Sequence, residues 1–190
     1  MTFGQHHDAA TQDPAGDSSM RTRLFIALGM SWVLALGTAA MAQQPPAAPP
    51  ASPTPRLEYG PPITNEQAKA VAAAALAEAR KSNYHMAISV VASNGDLVYF
   101  EKMDGTQMAS VDLSLGKART AVIFRQPSKV FYDQSLGGNM AFMSFPERPV
   151  ASEGGVPIVV SGKLIGAIGV SGGLAYQDGA VATAGAGAAK

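Results

Sequence analysis

The stretch that decides the fold is Glu153-Gly-Gly-Val-Pro-Ile-Val-Val160-Ser-Gly-Lys-Leu164-Ile-Gly-Ala-Ile-Gly-Val170-Ser-Gly-Gly173. Val156–Val160 and Leu164–Val170 are two apolar, β-branched runs. Between them stand Ser161, Gly162 and Lys163, a turn composition, so the segment predicts a β-hairpin. Glycines inside its second strand mark places where another backbone or a ligand approaches closely. A second hairpin lies upstream. Met86-Ala-Ile-Ser-Val-Val91 alternates, with Ile88 and Val90 on one face. Ser93-Asn-Gly-Asp96 supplies the positive φ of a tight turn, and Leu97–Lys102 returns.

Helical patterns flank both hairpins. Thr64 and Gln67 match a capping box, and the alanine-rich run behind them predicts a helix to about Lys81, with Val71, Ala75, Leu76 and Ala79 on one face. Residues 108–125 carry Val111, Leu115, Ala118 and Val122 at helical spacing, which leaves Lys117 and Arg119 on other faces. Pro127 opens a short helix to about Leu136, closed by Gly137 and Gly138. Residues 139–155 read as a long loop with one helical turn, and residues 175–187 as a terminal helix. The order α-ββ-α-α-ββ-α has hairpins where a parallel sheet would have crossovers. It predicts an α+β domain: an antiparallel sheet flanked by helices.

The domain occupies residues 63–190. Residues 43–62 hold eight prolines in twenty positions and read as an extended Pro/Ala-rich linker, without helix or central strand. Residues 1–42 hold a polar N-terminal extension and then a leader. Arg21 and Arg23 precede an almost uncharged run from Leu24, which ends in Ala40-Met41-Ala42. This is the pattern of a secretory signal peptide over about residues 20–42, with Met20 as the start and cleavage before Gln43. The expected location is periplasmic or secreted. The alternative is an uncleaved membrane anchor, for which the run is long enough.

Composition removes several function classes. Fourteen basic and fourteen acidic residues give zero net charge, which argues against a nucleic-acid partner. The chain has no cysteine, so disulfides, thiolate metal sites and cysteine nucleophiles are excluded. Past the leader His85 is the only histidine, which rules out multi-histidine metal sites.

Few local motifs carry chemistry alone. Gly166–Gly173 is glycine-rich but sits in a strand, where a phosphate loop would need a helix directly after it. Glu153 beside Gly154 and Gly155 could hold a loop over a pocket, or be an exposed turn carboxylate. Lys117-Ala-Arg119-Thr120 suits a carboxylate-bearing ligand, or is a solvated helix face. His85 is a packed or exposed side chain, or a ligand. Met140, Phe142, Met143 and Phe145 fill the core, or line an apolar ligand site.

Four stretches together resemble the GlcG/HbpS family, the haem-degrading domain family. They are Ile63–Ala70, Met86–Val98 with Met103–Thr106, Gly116–Ala121, and Glu153–Gly173 with Gln177-Asp178. The resemblance runs in order over residues 63–187. It implies a profilin-like or PAS-like fold, homo-oligomers (octamers among them), and haem as cofactor. It also implies haem breakdown with peroxide in some members, and an accessory role beside a sensor kinase in one exported member. Other members lie near glycolate use or form part of cobalamin adenosyltransferases.

By the same resemblance Thr120 takes the position of an iron-coordinating threonine, and Lys117 and Arg119 could pair with the haem propionates. Ala92 stands where members often carry aspartate, and Arg119 where the exported member is apolar. Two other readings stay open. One is a non-haem module that binds an organic acid in a pocket of Arg119, Glu153, Gly154 and Gly155. The other is an accessory oligomer without a ligand, its glycines and alanines serving subunit packing.

Overall fold

The computed structural model describes residues 56–190. The leader and most of the proline-rich segment therefore lie outside the described residues. The elements in chain order are β1 (Glu58–Tyr59), α1 (Asn65–Lys81), β2 (Ala87–Ala92), β3 (Leu97–Lys102), α2 (Ser110–Phe124) and α3 (Lys129–Leu136). A 3₁₀ turn (Ala141–Ser144), β4 (Gly155–Val160), β5 (Lys163–Ser171) and α4 (Ala175–Ala186) complete it. This is the expected α+β architecture.

β5 is the organising strand. It pairs antiparallel with β4 from Lys163 to Gly169 and with β2 from Gly166 to Ser171. β3 pairs antiparallel with β2. Turn chemistry fixes both hairpins. Gly95 has φ +86°, while Ser161 and Gly162 both take positive φ, as two-residue hairpin loops require.

The sheet is not wholly antiparallel. Glu58 and Tyr59 pair in parallel with Lys163 and Leu164 as a two-residue edge strand, inside a segment whose prolines predict no helix or central strand. The reason is local: residues 56–60 are free of proline, so their amides can bond. Tyr59 Oη donates to Val122 O at 2.9 Å, and Arg125 Nη1 donates to Leu57 O at 3.2 Å. The end of the linker is thereby docked on the domain.

Two apolar layers sandwich the sheet. On one face α1 and α4 bury Val71, Ala75, Ala79, Val181 and Ala182 against Ile88, Val90, Ile168 and Val170. On the other, α2 packs Ala118, Ala121 and Val122 on Val91, Leu164 and Ala167. The capping box at Thr64 is present, with Gln67 N donating to Thr64 Oγ1 at 3.2 Å. The expected face of α2 needs correction. Val111 and Leu115 are only half-buried, while Ser110, Ser114, Lys117 and Thr120 are buried. A Cβ on Gly169 would meet Ser114 O and lie 2.5 Å from Ala118 N. The helix axis is so close to β5 that only small side chains fit between them.

Phe142 is buried, its ring centroid 5.5 Å from that of Phe131, which in turn meets Phe124 at 4.8 Å. Core packing therefore accounts for Phe142, while Met140, Met143 and Phe145 stay partly exposed.

Candidate functional site

Lys117 is not on a solvated face. Its side chain is 2% exposed and passes the edge of the sheet to the opposite layer. There Nζ donates to Asp178 Oδ2 at 2.6 Å and to Val170 O at 3.1 Å. The other carboxylate oxygen of Asp178 accepts from Gly173 N at 2.9 Å. Burial pushes the Asp178 carboxyl above its ordinary value, against the opposing pull of Lys117 and the Gly173 and Gly172 amides. The pair ties α2 to α4 and closes the end of β5.

Gly154 and Gly155 lie directly over Lys117. A Cβ on Gly154 would stand 3.1 Å from Lys117 Cδ and 2.9 Å from Asp178 Cβ, and Gly154 has φ +118°. A side chain is excluded here by space and by backbone conformation. Ser128 pins this loop to the start of α3, since its Oγ donates to Ser152 O at 2.6 Å and accepts from Gly155 N at 2.9 Å.

Glu153, Gly154 and Gly155 share a cleft of about 490 Å³ with Pro127, Lys129, Tyr176 and Thr183. Lys129 Nζ lies 2.6 Å from Asp133 Oδ1 and 3.3 Å from Glu153 Oε1. These partners, Asp133 foremost, raise the Lys129 ammonium pKa. Lys117 forms part of the floor below this cleft and does not enter it.

The other two residues of the central-helix motif point elsewhere. Arg119 is exposed, and its Nε donates to Gly95 O at 3.3 Å in the first hairpin turn. Arg119, Glu153, Gly154 and Gly155 therefore do not form one pocket. Thr120 is 4% exposed. Its hydroxyl donates to Gly116 O at 2.8 Å and accepts from Val150 N at 2.9 Å. One Oγ1 lone pair is left over by these two bonds, but the side chain is buried, held to its own helix and to the 150 loop. Lys117, Arg119 and Thr120 are neighbours in sequence but not at one site.

A second cleft, of about 330 Å³, opens at the far end of β5, among Asn83, Tyr84, His85, Gly105, Gly172 and Gly173. The His85 ring is exposed, with Nδ1 2.7 Å from Asp104 O. Among the described residues no three His, Cys, Asp or Glu side chains converge on a common metal position.

Asp178 is what residue-by-residue reading passes over, while His85, readable as packed, exposed or a ligand, is exposed in this cleft. Asp178 looks like an ordinary first-turn acid of an alanine-rich helix, and nothing local announces a partner 61 residues away. The one available signal was Gln177-Asp178 following Gly172-Gly173 in the family-like stretch.

Comparison with known proteins agrees with the fold. Protein GlcG of Escherichia coli K12 is 38% identical over 109 residues, which are 57% of this chain and 81% of that one. A double mutant of HbpS from Streptomyces reticuli superposes with a TM-score of 0.61 at 30% identity, covering 75% of this chain and 97% of that one. PduOC, solved as a haem complex, shares the fold at a TM-score of 0.61 and 24% identity, over 67% of this chain and 94% of that one. The family model described as haem degrading protein HbpS-like matches residues 63–187. The chain thus belongs to the HbpS-like family of haem-degrading proteins.

Proposed function

We propose that this chain is an exported haem-binding protein that works as a homo-oligomer. The observation that carries the reading is the family match over residues 63–187, which leaves almost none of the described domain outside it. The solved haem complex of PduOC supports it at the level of the fold. The donor chemistry is compatible: an imidazole, an accepted axial ligand of haem iron, stands exposed in a cleft at His85. Bound haem would supply redox and peroxide chemistry, and breakdown or sensing would follow from it. The leader-like residues 20–42 support export, and exposed apolar side chains such as Met108, Leu136 and Leu174 support self-association.

The test is a visible-light titration of the full chain with ferric haemin, against serum albumin as a non-specific control. A saturable Soret shift at one haem per chain or per subunit pair is expected. A featureless, non-saturating curve overturns the reading. The mass of the protein recovered outside the cytoplasm tests the leader, with Gln43 expected as its first residue.

A second reading rests on the Glu153–Lys129 cleft, whose volume suits a small organic acid. A carboxylate ligand would take over Lys129 from Glu153. Only a ligand that binds the native state raises the melting temperature. Stabilisation by small carboxylates but not by haemin would favour this reading over haem.

A further inference from the structure

We infer that the Glu153–Lys129 cleft takes a small apolar α-amino acid, with its carboxylate on Lys129 Nζ, its ammonium on Glu153 and its side chain against Pro127, Val156 and Tyr176. This rests on the organic-acid reading of the cleft and names the ligand class.

One pin positions both charged side chains. Ser128 N donates to Gly155 O at 3.0 Å, and Ser128 Oγ bonds both Ser152 O and Gly155 N. Lys129 follows Ser128 in the chain, and Glu153 follows Ser152. Gly154 O accepts from Val170 N at 2.8 Å, so the backbone is tied down on both sides of Glu153. The Glu153 side chain, 17% exposed, then lies on α4. A Cβ on Gly179 would stand 2.7 Å from its Oε2, so the missing side chain there gives the carboxylate its place. Oε1 is 3.3 Å from Lys129 Nζ, longer than the about 2.7–2.9 Å of a strong charge-assisted bond. Glu153 is thus a sheltered carboxylate with one long contact, able to accept from a ligand.

Charge balance selects the ligand class. Lys129 already meets two carboxylates, Asp133 Oδ1 at 2.6 Å and Glu153 Oε1 at 3.3 Å. A plain carboxylic acid would add a third negative charge around one ammonium, and a plain amine would set a second cation beside Lys129. Like charges so close repel. A zwitterion avoids both: its carboxylate meets Lys129, its ammonium meets Glu153, and the four charges alternate in sign. Lys129 is half-exposed and has room to turn toward the ligand. The rest of the lining is largely apolar, with Pro127, Val156, Ala180 and the Tyr176 ring. A cleft of about 490 Å³ lies within the size range of small-molecule sites and leaves space for a side chain beyond the two charged ends.

The test is calorimetric titration of the full chain with L-leucine, with isocaproate, which lacks only its ammonium, and with isoamylamine, which lacks only its carboxylate. Leucine is expected to bind saturably. Each analogue is expected to bind about ten-fold more weakly or worse, as loss of a charged hydrogen-bond partner costs. Glu153→Gln is expected to abolish the preference for leucine over isocaproate, and Lys129→Met the preference over isoamylamine. Gly179→Ala keeps the charges, and alanine is favoured over glycine inside a helix. Its methyl group displaces Glu153 Oε2, so leucine affinity is expected to fall about ten-fold without a lower melting temperature. Isocaproate that binds as tightly as leucine, in the parent and in Glu153→Gln alike, overturns the amino-acid assignment and leaves the organic-acid reading standing. Leucine binding that all three variants leave unchanged overturns the site. Neither saturable heat nor a raised melting temperature with any of the three compounds at millimolar concentration overturns both.

Discussion

Lys117 and Asp178 are 61 residues apart in sequence and 2.6 Å apart in space, and both are buried. Each serves a different cleft. Lys117 lies beneath Gly154 of the Glu153 cleft, and Asp178 holds the amide of Gly173, which lines the His85 cleft. Breaking such a pair leaves a buried charge without its partner, at a cost of about 3–5 kcal/mol. Lys117→Met is therefore expected to lower unfolding stability by about that amount in urea titrations. Lys117→Met combined with Asp178→Leu is expected to recover part of the loss, since it removes the unpaired charge but leaves the Gly173 amide without its acceptor. Single effects below about 1 kcal/mol, the size of an exposed pair, would show that the pair is solvated.

The Asp178 carboxyl also sets a pH dependence of unusual sign. Its folded pKa is raised above the ordinary 3.8, chiefly by burial. The native state therefore holds this proton more tightly than the unfolded chain does. The contribution is fully present below the ordinary carboxylate value and is lost as pH rises through the folded value. The stability of the parent relative to Asp178→Asn should accordingly grow as pH falls from neutrality toward 4. Melting curves of both proteins over that range check this. A difference that shrinks with acid would mean that Lys117 outweighs burial and depresses the carboxyl instead.

Gly169 sets the distance between α2 and β5. A Cβ there would overlap the backbone of Ser114 and Ala118, and backbone cannot rotate aside as a side chain can. Gly169→Ala is expected to cost about 1–3 kcal/mol or more from overpacking. It should also loosen the buried contact between Ser89 Oγ and Ser114 Oγ, now 2.8 Å. Gly162→Ala is the comparison, because it has φ +76° and open space around it. Its cost should be confined to the left-handed backbone penalty, about 1–2 kcal/mol. Equal effects in denaturant titrations on a monodisperse sample, with no change in amide exchange along α2 and β5, would count against the close-approach account.

Much of the fold was legible because its signals are local. Thr64 and Gln67 announce a helix start within four residues, and Asn94-Gly95 and Ser161-Gly162 announce their turns. The parallel pairing of Glu58 with Lys163 was not, since eight prolines dominate the composition of its segment and mask a five-residue gap in them. The buried face of α2 departs from its apolar spacing for a related reason. Apolar spacing marks the buried side of a helix only when large side chains fill the gap, and here glycine lets serine, threonine and lysine face the sheet. Of the motif residues, Glu153, Gly154 and Gly155 do share a cleft, because they are consecutive on one pinned loop. Arg119 diverges from Lys117 because two helical steps of about 100° carry it to the exposed side, whereas Thr120, three positions on, is buried like Lys117 but bonds to Gly116 O and Val150 N rather than to Asp178.

The contact of His85 Nδ1 with Asp104 O, at 2.7 Å, can be probed without touching the histidine. Gly105 and Gly95 both occupy left-handed backbone, at φ +78° and +86°. A methyl group at Gly95 meets nothing within 4 Å, whereas at Gly105 it would press on His85 Nδ1 at 3.3 Å. Alanine at either position therefore carries a similar backbone penalty, about 1–2 kcal/mol, and urea titrations should show comparable losses. Only Gly105→Ala displaces the ring and weakens its bond to Asp104 O. If His85 holds the iron, Gly105→Ala should lower haemin affinity by roughly ten-fold, as loss of an outer-shell partner does, and move the Soret maximum. Gly95→Ala should leave both unchanged, although Gly95 O is the acceptor of Arg119 Nε. A haem spectrum that responds equally to the two variants would trace the change to general destabilisation and rule out His85 as the iron ligand.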